Sequence, residues 1–371
     1  MRITKLRLTH FRNARHIILD DLARINYIQG ENGAGKTNIL DSITRCTSQA
    51  GLKNQSAKFC TNTTYPDKGW GVDIYFTHHD QDHHLTTGLL PRSTHRVIQY
   101  FGTRITQAEA THMLPCLWLT PVGEKIFTED AADIRTYFHH MVGLFFSDFH
   151  ETYSLYERAC RQRLKILTSE NINAHLKWLQ ALEEEIATQA LNIMQMRDGF
   201  MAHFQKDHMA HAIVLSENLP HFSLYLECPA QNIRHIDQYK ALLMSYREKD
   251  AASKRTLFGP HRVKWCVKNL DKNIDIAFCS TGEQKAVLMA ILFVVNQALI
   301  RLIDTPPLIL LDDAYAHFDQ NRIAFLDQYI AHLPNNIFLT GTDFHATAEN
   351  AKLLHIDEDI MQGQSTEKLM I

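Results

Sequence analysis

Apolar and polar residues alternate through MRITKLRLTHFRN at the start of the chain, the period of a strand with one buried face. A mostly apolar run, Ile25 to Ile28, follows and ends in glycine, which predicts a second strand stopped by a turn. Further on the period changes. Leu176, Leu179, Leu182, Ile186, Ala190, Ile193, Phe200 and Phe204 recur every three or four positions, predicting one long amphipathic helix from Asn173 toward His211. An earlier helix is expected over Phe149 to Leu167, packed antiparallel to the long one in a compact helical lobe. Asn218-Leu219-Pro220 breaks the helical pattern before a strand, FSLYLE. The apolar stretch from Ala286 to Ile300 contains Asn296 and Gln297 and is shorter than the ~20 residues a bilayer helix needs, so it reads as a buried helix. Leu308 to Leu311 are four apolar residues delivered to Asp312 and Asp313, the form of a buried parallel strand.

Composition narrows the class. With 371 residues, 45% of them apolar and 21% charged, the chain is an ordinary globular one of one large or two modest domains. Lys plus Arg number 38 against 41 Asp plus Glu, which excludes binding of nucleic acid by bulk positive charge and requires any such surface to be local. The alternating N-terminus lacks the basic start and apolar block of a signal peptide, so a cytoplasmic, membrane-free protein is expected. Seven cysteines, at 46, 60, 116, 160, 228, 266 and 279, never fall in a C-x-x-C spacing and read as buried free thiols. The histidines of THHDQDHH, 77–84, lack the pairing of a metal site and read as a solvated turn.

The chemistry concentrates in three segments. Gly30-Glu31-Asn32-Gly33-Ala34-Gly35-Lys36-Thr37 matches G-x-x-x-x-G-K-[ST], with a strand before it and a helix expected from about Asn38. Such a loop turns backbone N–H groups toward an anion, adds the positive end of a helix, brings Lys36 to the β- and γ-phosphates of ATP and places the Thr37 hydroxyl on Mg²⁺. The strand ending in Asp312 and Asp313 supplies what the loop lacks. Asp312 is assigned to Mg²⁺ through water and Asp313 to the attacking water, since adjacent carboxylates at a strand end point in different directions. Between them lies Cys279-Ser280-Thr281-Gly282-Glu283-Gln284-Lys285 before an apolar helix. This segment is similar to the signature of ABC-type ATPases. The similarity implies that Ser280, Gly282 and Gln284 meet the γ-phosphate held by a second subunit, so that two heads sandwich two nucleotides.

Ser280 follows Lys36 by 244 residues, farther than in transporter ATPases, while the insert is too short for the coiled-coil arm of SMC proteins. The whole set resembles the RecF family of bacterial recombination mediators. Leu8, Phe11, Arg12 and Asn13, the phosphate loop, Thr120-Pro121, the run Phe258 to Arg262 (FGPHR), STGEQK and LLDDAYAHFD with Asp319 occur in that family's order. There are departures. Val263 and Lys264 stand where acidic residues are usual, and Ile134 to His139 keeps only Arg135 and Phe138 of an R-R-x-F-L-D run. No glutamine sensing Mg²⁺ is evident near Thr120, and the switch position falls at Thr340 or Thr342.

The resemblance implies an α/β fold: an ABC-type P-loop ATPase head formed by both chain ends (1–120 and 253–371) with an inserted, mainly helical lobe (121–252). It also implies that Arg12 and Asn13 contact ATP, with Mg²⁺ as cofactor. The expected activity is a weak DNA-dependent ATPase that dimerises with ATP on duplex DNA near single-strand gaps and assists recombinase loading with RecO/RecR-like partners. Arg158, Arg161 and Lys165 share one helix face and are candidates for the DNA phosphates. The alternative is an SMC-like DNA-processing ATPase coupled to a nuclease, against which only about fifty residues follow the acidic strand.

Overall fold

Along the chain the strands are β1 Arg2–Phe11, β2 Ala14–Leu19, β3 Ile25–Gln29, β4 Trp70–His78, β5 Gln81–Leu89, β6 Arg96–Tyr100, β7 Thr103–Arg104, β8 Cys116–Leu119, β9 Phe222–Glu227, β10 Lys264–Asn269, β11 Ile274–Asp275, β12 Leu308–Leu311, β13 Ile337–Gly341 and β14 Ala351–His355. The computed structural model describes residues 1–48, 51–53, 55–120, 127, 131–169, 171–216, 218–229, 232–303, 305–342, 344 and 351–362. Pro121 lies outside them.

Two units are present. The first comprises Met1–Lys125, His211–Pro220 and Ser280–Ile371. It holds an antiparallel sheet ordered β2-β1-β4-β5-β6-β7 and a sheet ordered β14-β3-β13-β12-β8, the latter parallel throughout. Both faces of the parallel sheet are covered, which is why β12 and β8 are buried at every position and carry no polar alternation. The antiparallel strands do alternate. β4 reads buried and half-buried in turn, and a register shift between Ile3 and Lys5 resets the alternation of β1 against it. Inward side chains of β1, β4 and β5 join those of α1 (Lys36–Thr47) in one core.

The histidine-rich stretch is a hairpin and not merely a turn. His79 and Asp80, both at positive φ (49° and 58°), make its two-residue loop. His83 and His84 stand on β5, bonded to the Tyr100 hydroxyl and to Asp73. Among the described residues no His, Cys, Asp or Glu cluster suits a metal. All seven cysteines are free, five of them buried.

The helix Thr281–Leu302 is long and apolar enough to cross a bilayer by composition. From Ala286 to Val295, however, each residue is at most 1% exposed inside the first unit, which explains an apolar surface on all sides. Asn296 within it is fully buried and exchanges amide hydrogen bonds with Asn335, so its polarity is met internally.

The second unit comprises Ile126–Ala210 and His221–Cys279. Its helices include Ala131–Phe145, Phe149–Leu167, the helix Leu176–Ser216 as far as Ala210, Ile236–Ser245 and Arg247–Ser253, with a sheet ordered β11-β10-β9. Residues 253–279, assigned from the sequence to the head, fall in this unit. The physical reason is β10, which pairs antiparallel with β9 from Lys264↔Glu227 to Asn269↔Phe222. The GPHR turn belongs here too. Gly259 sits at φ +142°, and a Cβ there would run into the Tyr156 hydroxyl. His261 Nδ1 lies 2.6 Å from that hydroxyl, and Arg262 donates to the Thr256 carbonyl.

On helix Phe149–Leu167, Arg158, Arg161 and Lys165 are exposed, whereas Arg163 points inward. Arg163 is fully buried and donates to Glu183 at 3.1 Å, Asp250 at 2.6 Å and the Leu243 carbonyl at 2.6 Å. It is a neutralised core ion and not part of the basic stripe.

Candidate nucleotide site

The strand order positions the site. β13 lies between β3 and β12, so the segments leaving the ends of these three strands converge, as open parallel sheets arrange their ligand sites. The Gly30 N–H donates to the Gly341 carbonyl at the end of β13. From Gly30 the loop passes through Gly33 and Gly35, at φ +90° and +105°. α1 then begins at Lys36, two residues before the sequence estimate.

Lys36 is 6% exposed, and its Nζ donates to the Gly30 and Glu31 carbonyls at 2.6 and 3.0 Å. Its ammonium thus lies against the loop itself, at a helix N-terminus whose amides and dipole favour an anion. Thr37 Oγ1 is 3.0 and 2.9 Å from the two carboxylate oxygens of Asp312. Strands distant in sequence therefore bring together the two residues assigned to Mg²⁺. Their donors are all oxygen, which suits that ion.

Burial raises the Asp312 carboxyl above its ordinary pKa, opposed by hydrogen bonds from Thr340 and Thr37. Thr340 is fully buried; its hydroxyl donates to Asp312 at 2.6 Å and accepts from the Asp313 N–H at 2.9 Å. Thr342 is exposed, so of the two switch candidates only Thr340 faces the acidic pair. Thr340→Val should keep the side-chain shape but leave the Asp313 N–H without its acceptor, costing about 1–3 kcal/mol of stability by urea unfolding. An unchanged midpoint would remove Thr340 from the scaffold of the site.

Asp313 adopts φ +48°, turning its half-buried side chain out of line with Asp312. Asn13 accepts from the Asn38 amide at 2.6 Å, beside the loop. Arg12 is engaged by Asp41 of α1, its Nε and Nη2 at 2.9 and 2.8 Å. Glu31 and Asn32 are exposed, Ala34 buried.

Ser280 is exposed at the N-cap of Thr281–Leu302, in a reciprocal capping box with Glu283. The S-x-x-E spacing is a sequence signal that the reading of the signature left unused. A Cβ on Gly282 would lie 2.9 Å from the His317 carbonyl oxygen, so the helix approaches the loop after β12 closely. Gln284, assigned to a partner's phosphate, is 3% exposed. Two lysines, one of them the last residue of STGEQK, were given no role from the sequence. Lys285, 1% exposed, donates to the Asp313 and Ala316 carbonyls at 2.6 and 2.9 Å. Lys53 donates to Asn38, and burial lowers its pKa while Asp41 and Asp312 oppose that shift. Neither had a local signal, because their partners are distant in sequence.

The family described as RecF/RecN/SMC N terminal domain matches residues 2–356. The DNA replication and repair protein RecF of Rickettsia felis is 31% identical over 363 residues, covering 95% of this chain and 97% of that protein. The protein of the same name from Rhizobium meliloti is 29% identical over 375 residues, covering 97% and 98%. Among solved structures, the recombination mediator RecF with ATP, of the RecFOR pathway, superposes with a TM-score of 0.82 at 17% identity over 96% of each chain. An Smc head domain from Pyrococcus furiosus gives 0.53 at 17% identity, covering 97% of this chain and 94% of that one. The fold is thus the α/β head shared by RecF and SMC proteins. With its phosphate loop and acidic strand brought together by one parallel sheet and full-length relatives above 30% identity, the chain belongs to the RecF family.

Proposed function

We propose that the chain binds ATP and Mg²⁺ and, as an ATP-dependent homodimer, binds duplex DNA near single-strand gaps, where it assists recombinase loading together with RecO/RecR-like partners in DNA repair and replication. The observation supporting this reading best is the Thr37–Asp312 contact, which unites phosphate loop and acidic strand in a chain with full-length RecF relatives. Thr37 and Asp312 would hold Mg²⁺, which supplies charge neutralisation at the β- and γ-phosphates when bound. Lys36 binds the phosphates, Asp313 orients water, and Ser280 with Gly282 acts on the partner's nucleotide. Hydrolysis is then a release timer in a cytoplasmic clamp. The nuclease alternative has no support: the full-length relatives are named for DNA replication and repair.

Arg158, Arg161 and Lys165 are assigned to DNA phosphates. Arg161 is 3.6 Å from Glu157, both well exposed, and so weak a surface pair yields readily to a phosphate. DNA binding measured with ATP, ADP and a non-hydrolysable analogue on duplex, single-stranded and gapped DNA tests the whole reading. Tighter binding to duplex and gapped DNA with ATP is expected. Equal affinity in all nucleotide states would overturn the clamp.

Asp313→Asn isolates the catalytic assignment. Asparagine tolerates positive φ as aspartate does, so the backbone at φ +48° is kept while the charge is removed. Hydrolysis should fall about 10²–10⁴-fold and the ATP-bound dimer on DNA should persist longer. Turnover at the parental rate would show that another group orients the water.

A further inference from the structure

Two arginines are buried in the second unit, and they are treated differently. Arg163 is neutralised by two carboxylates, as described above. Arg197, on the helix Leu176–Ser216, is 2% exposed, and among the described residues no carboxylate lies within ion-pair distance of it. Its Nη1 donates to the Pro260 carbonyl at 2.8 Å, its Nη2 lies 2.6 Å from His139 Nε2, and its Nε has no hydrogen-bond partner. His139 is 9% exposed and is held neutral by burial and by Arg197 itself, so it serves as an acceptor and adds no negative charge. Burial lowers the Arg197 pKa to about 10, which still leaves it protonated at neutral pH. A buried guanidinium with one donor idle and no counter-ion is costly.

Arg197 also lines a cleft, with Met194, Leu226 and Val263 as apolar wall and Arg234 paired to Asp198 at 3.4 Å on its exposed side. Its volume of about 20 Å³ admits one or two water-sized groups. That is room for the leading oxygens of one oxyanion head, the rest of which stays in solvent.

We propose that Arg197 is the floor of an anion site in the second unit, separate from the phosphate loop, which takes one phosphate or carboxylate group through this cleft. With no carboxylate within ion-pair distance among the described residues and His139 neutral, the guanidinium keeps its charge for the anion, while Arg234 offsets Asp198 on the exposed side. Free phosphate and a carboxylate share this chemistry, and the two are distinguished by the probe.

The test uses full-length protein carrying Lys36→Met, which removes the cation of the phosphate loop. Its apparent Tm is followed against inorganic phosphate, and in parallel against acetate, at constant ionic strength. Binding to the folded state should raise Tm by on the order of a few degrees at saturation with whichever anion fits. Adding Arg197→Met should abolish the rise. Adding His139→Glu, whose carboxylate reaches about as far as the imidazole Nε2, should also abolish it by supplying a resident anion, while raising Tm without any added ligand. If Arg197→Met fails to fold, His139→Glu alone decides. An equal rise in parent and His139→Glu proteins, or no rise with either anion, overturns the site. A bromide-soaked crystal should show an anomalous peak beside Arg197, and a carboxylate of the chain seated there would overturn the proposal.

Discussion

Lys36→Met should weaken ATP binding by about 2–5 kcal/mol, roughly 30- to 5,000-fold, and remove ATP-induced dimers altogether. Lys36 is the ammonium placed at the loop, resting on two loop carbonyls that it can exchange for phosphate oxygens. Methionine keeps much of the stem and its packing at 6% exposure, so the fold should persist while the charge is lost. Calorimetric titration gives the affinity and light scattering the dimer. ATP-induced dimers in this variant would end the assignment of Lys36.

The second large effect is expected from Ser280→Arg, which should leave ATP binding by the monomer within a few-fold of the parent yet abolish the dimer and lower hydrolysis at least about 10²-fold. The serine is exposed at the helix N-terminus, where, on the proposed function, a bulky cation would fill the space meant for a partner's γ-phosphate. Because Ser280 also closes the capping box with Glu283, about 1 kcal/mol of stability should be lost as well. That loss is separable by measuring unfolding of the monomer. Mixing with Lys36→Met protein pairs the intact loop of one variant with the intact signature of the other, so one composite site is wholly unmutated. Partial recovery of ATPase activity or DNA binding is expected. Confirmed heterodimers that stay inactive would rule out a shared site whose halves act independently.

The phosphate loop and the acidic strand were legible because their chemistry is local. Glycines, lysine and threonine stand side by side, and four apolar residues lead into two carboxylates. The helix Phe149–Leu167 and strand FSLYLE were read at their true limits for a similar reason: period and breakers lie within the segment. What resisted reading depends on partners far along the chain. β10 could not be assigned to the second unit without knowing that it pairs with β9. Arg163 differs from Arg161 only in which side of the helix meets Glu183 and Asp250. Lys285 finds its acceptors on backbone carbonyls, which no side-chain pattern announces. The insertion of β13 between β3 and β12 is a non-local parallel pairing of the same kind, and with it came the role of Thr340.

The same pairing has a consequence for biosynthesis. β3 is flanked by β13 and β14, whose first paired residues, Ile337 and Ala351, both lie opposite Ile25. At about 5–20 residues per second, a ribosome exposes Ile25 roughly 15–60 s before Ile337 is made. Throughout that interval the strand that leads into the phosphate loop is an apolar edge without either neighbour, a template for wrong pairing. The phosphate loop is therefore synthesised well before the strands that complete its native frame. A nascent chain stalled before residue 337 would carry the complete loop sequence without the sheet that shapes it.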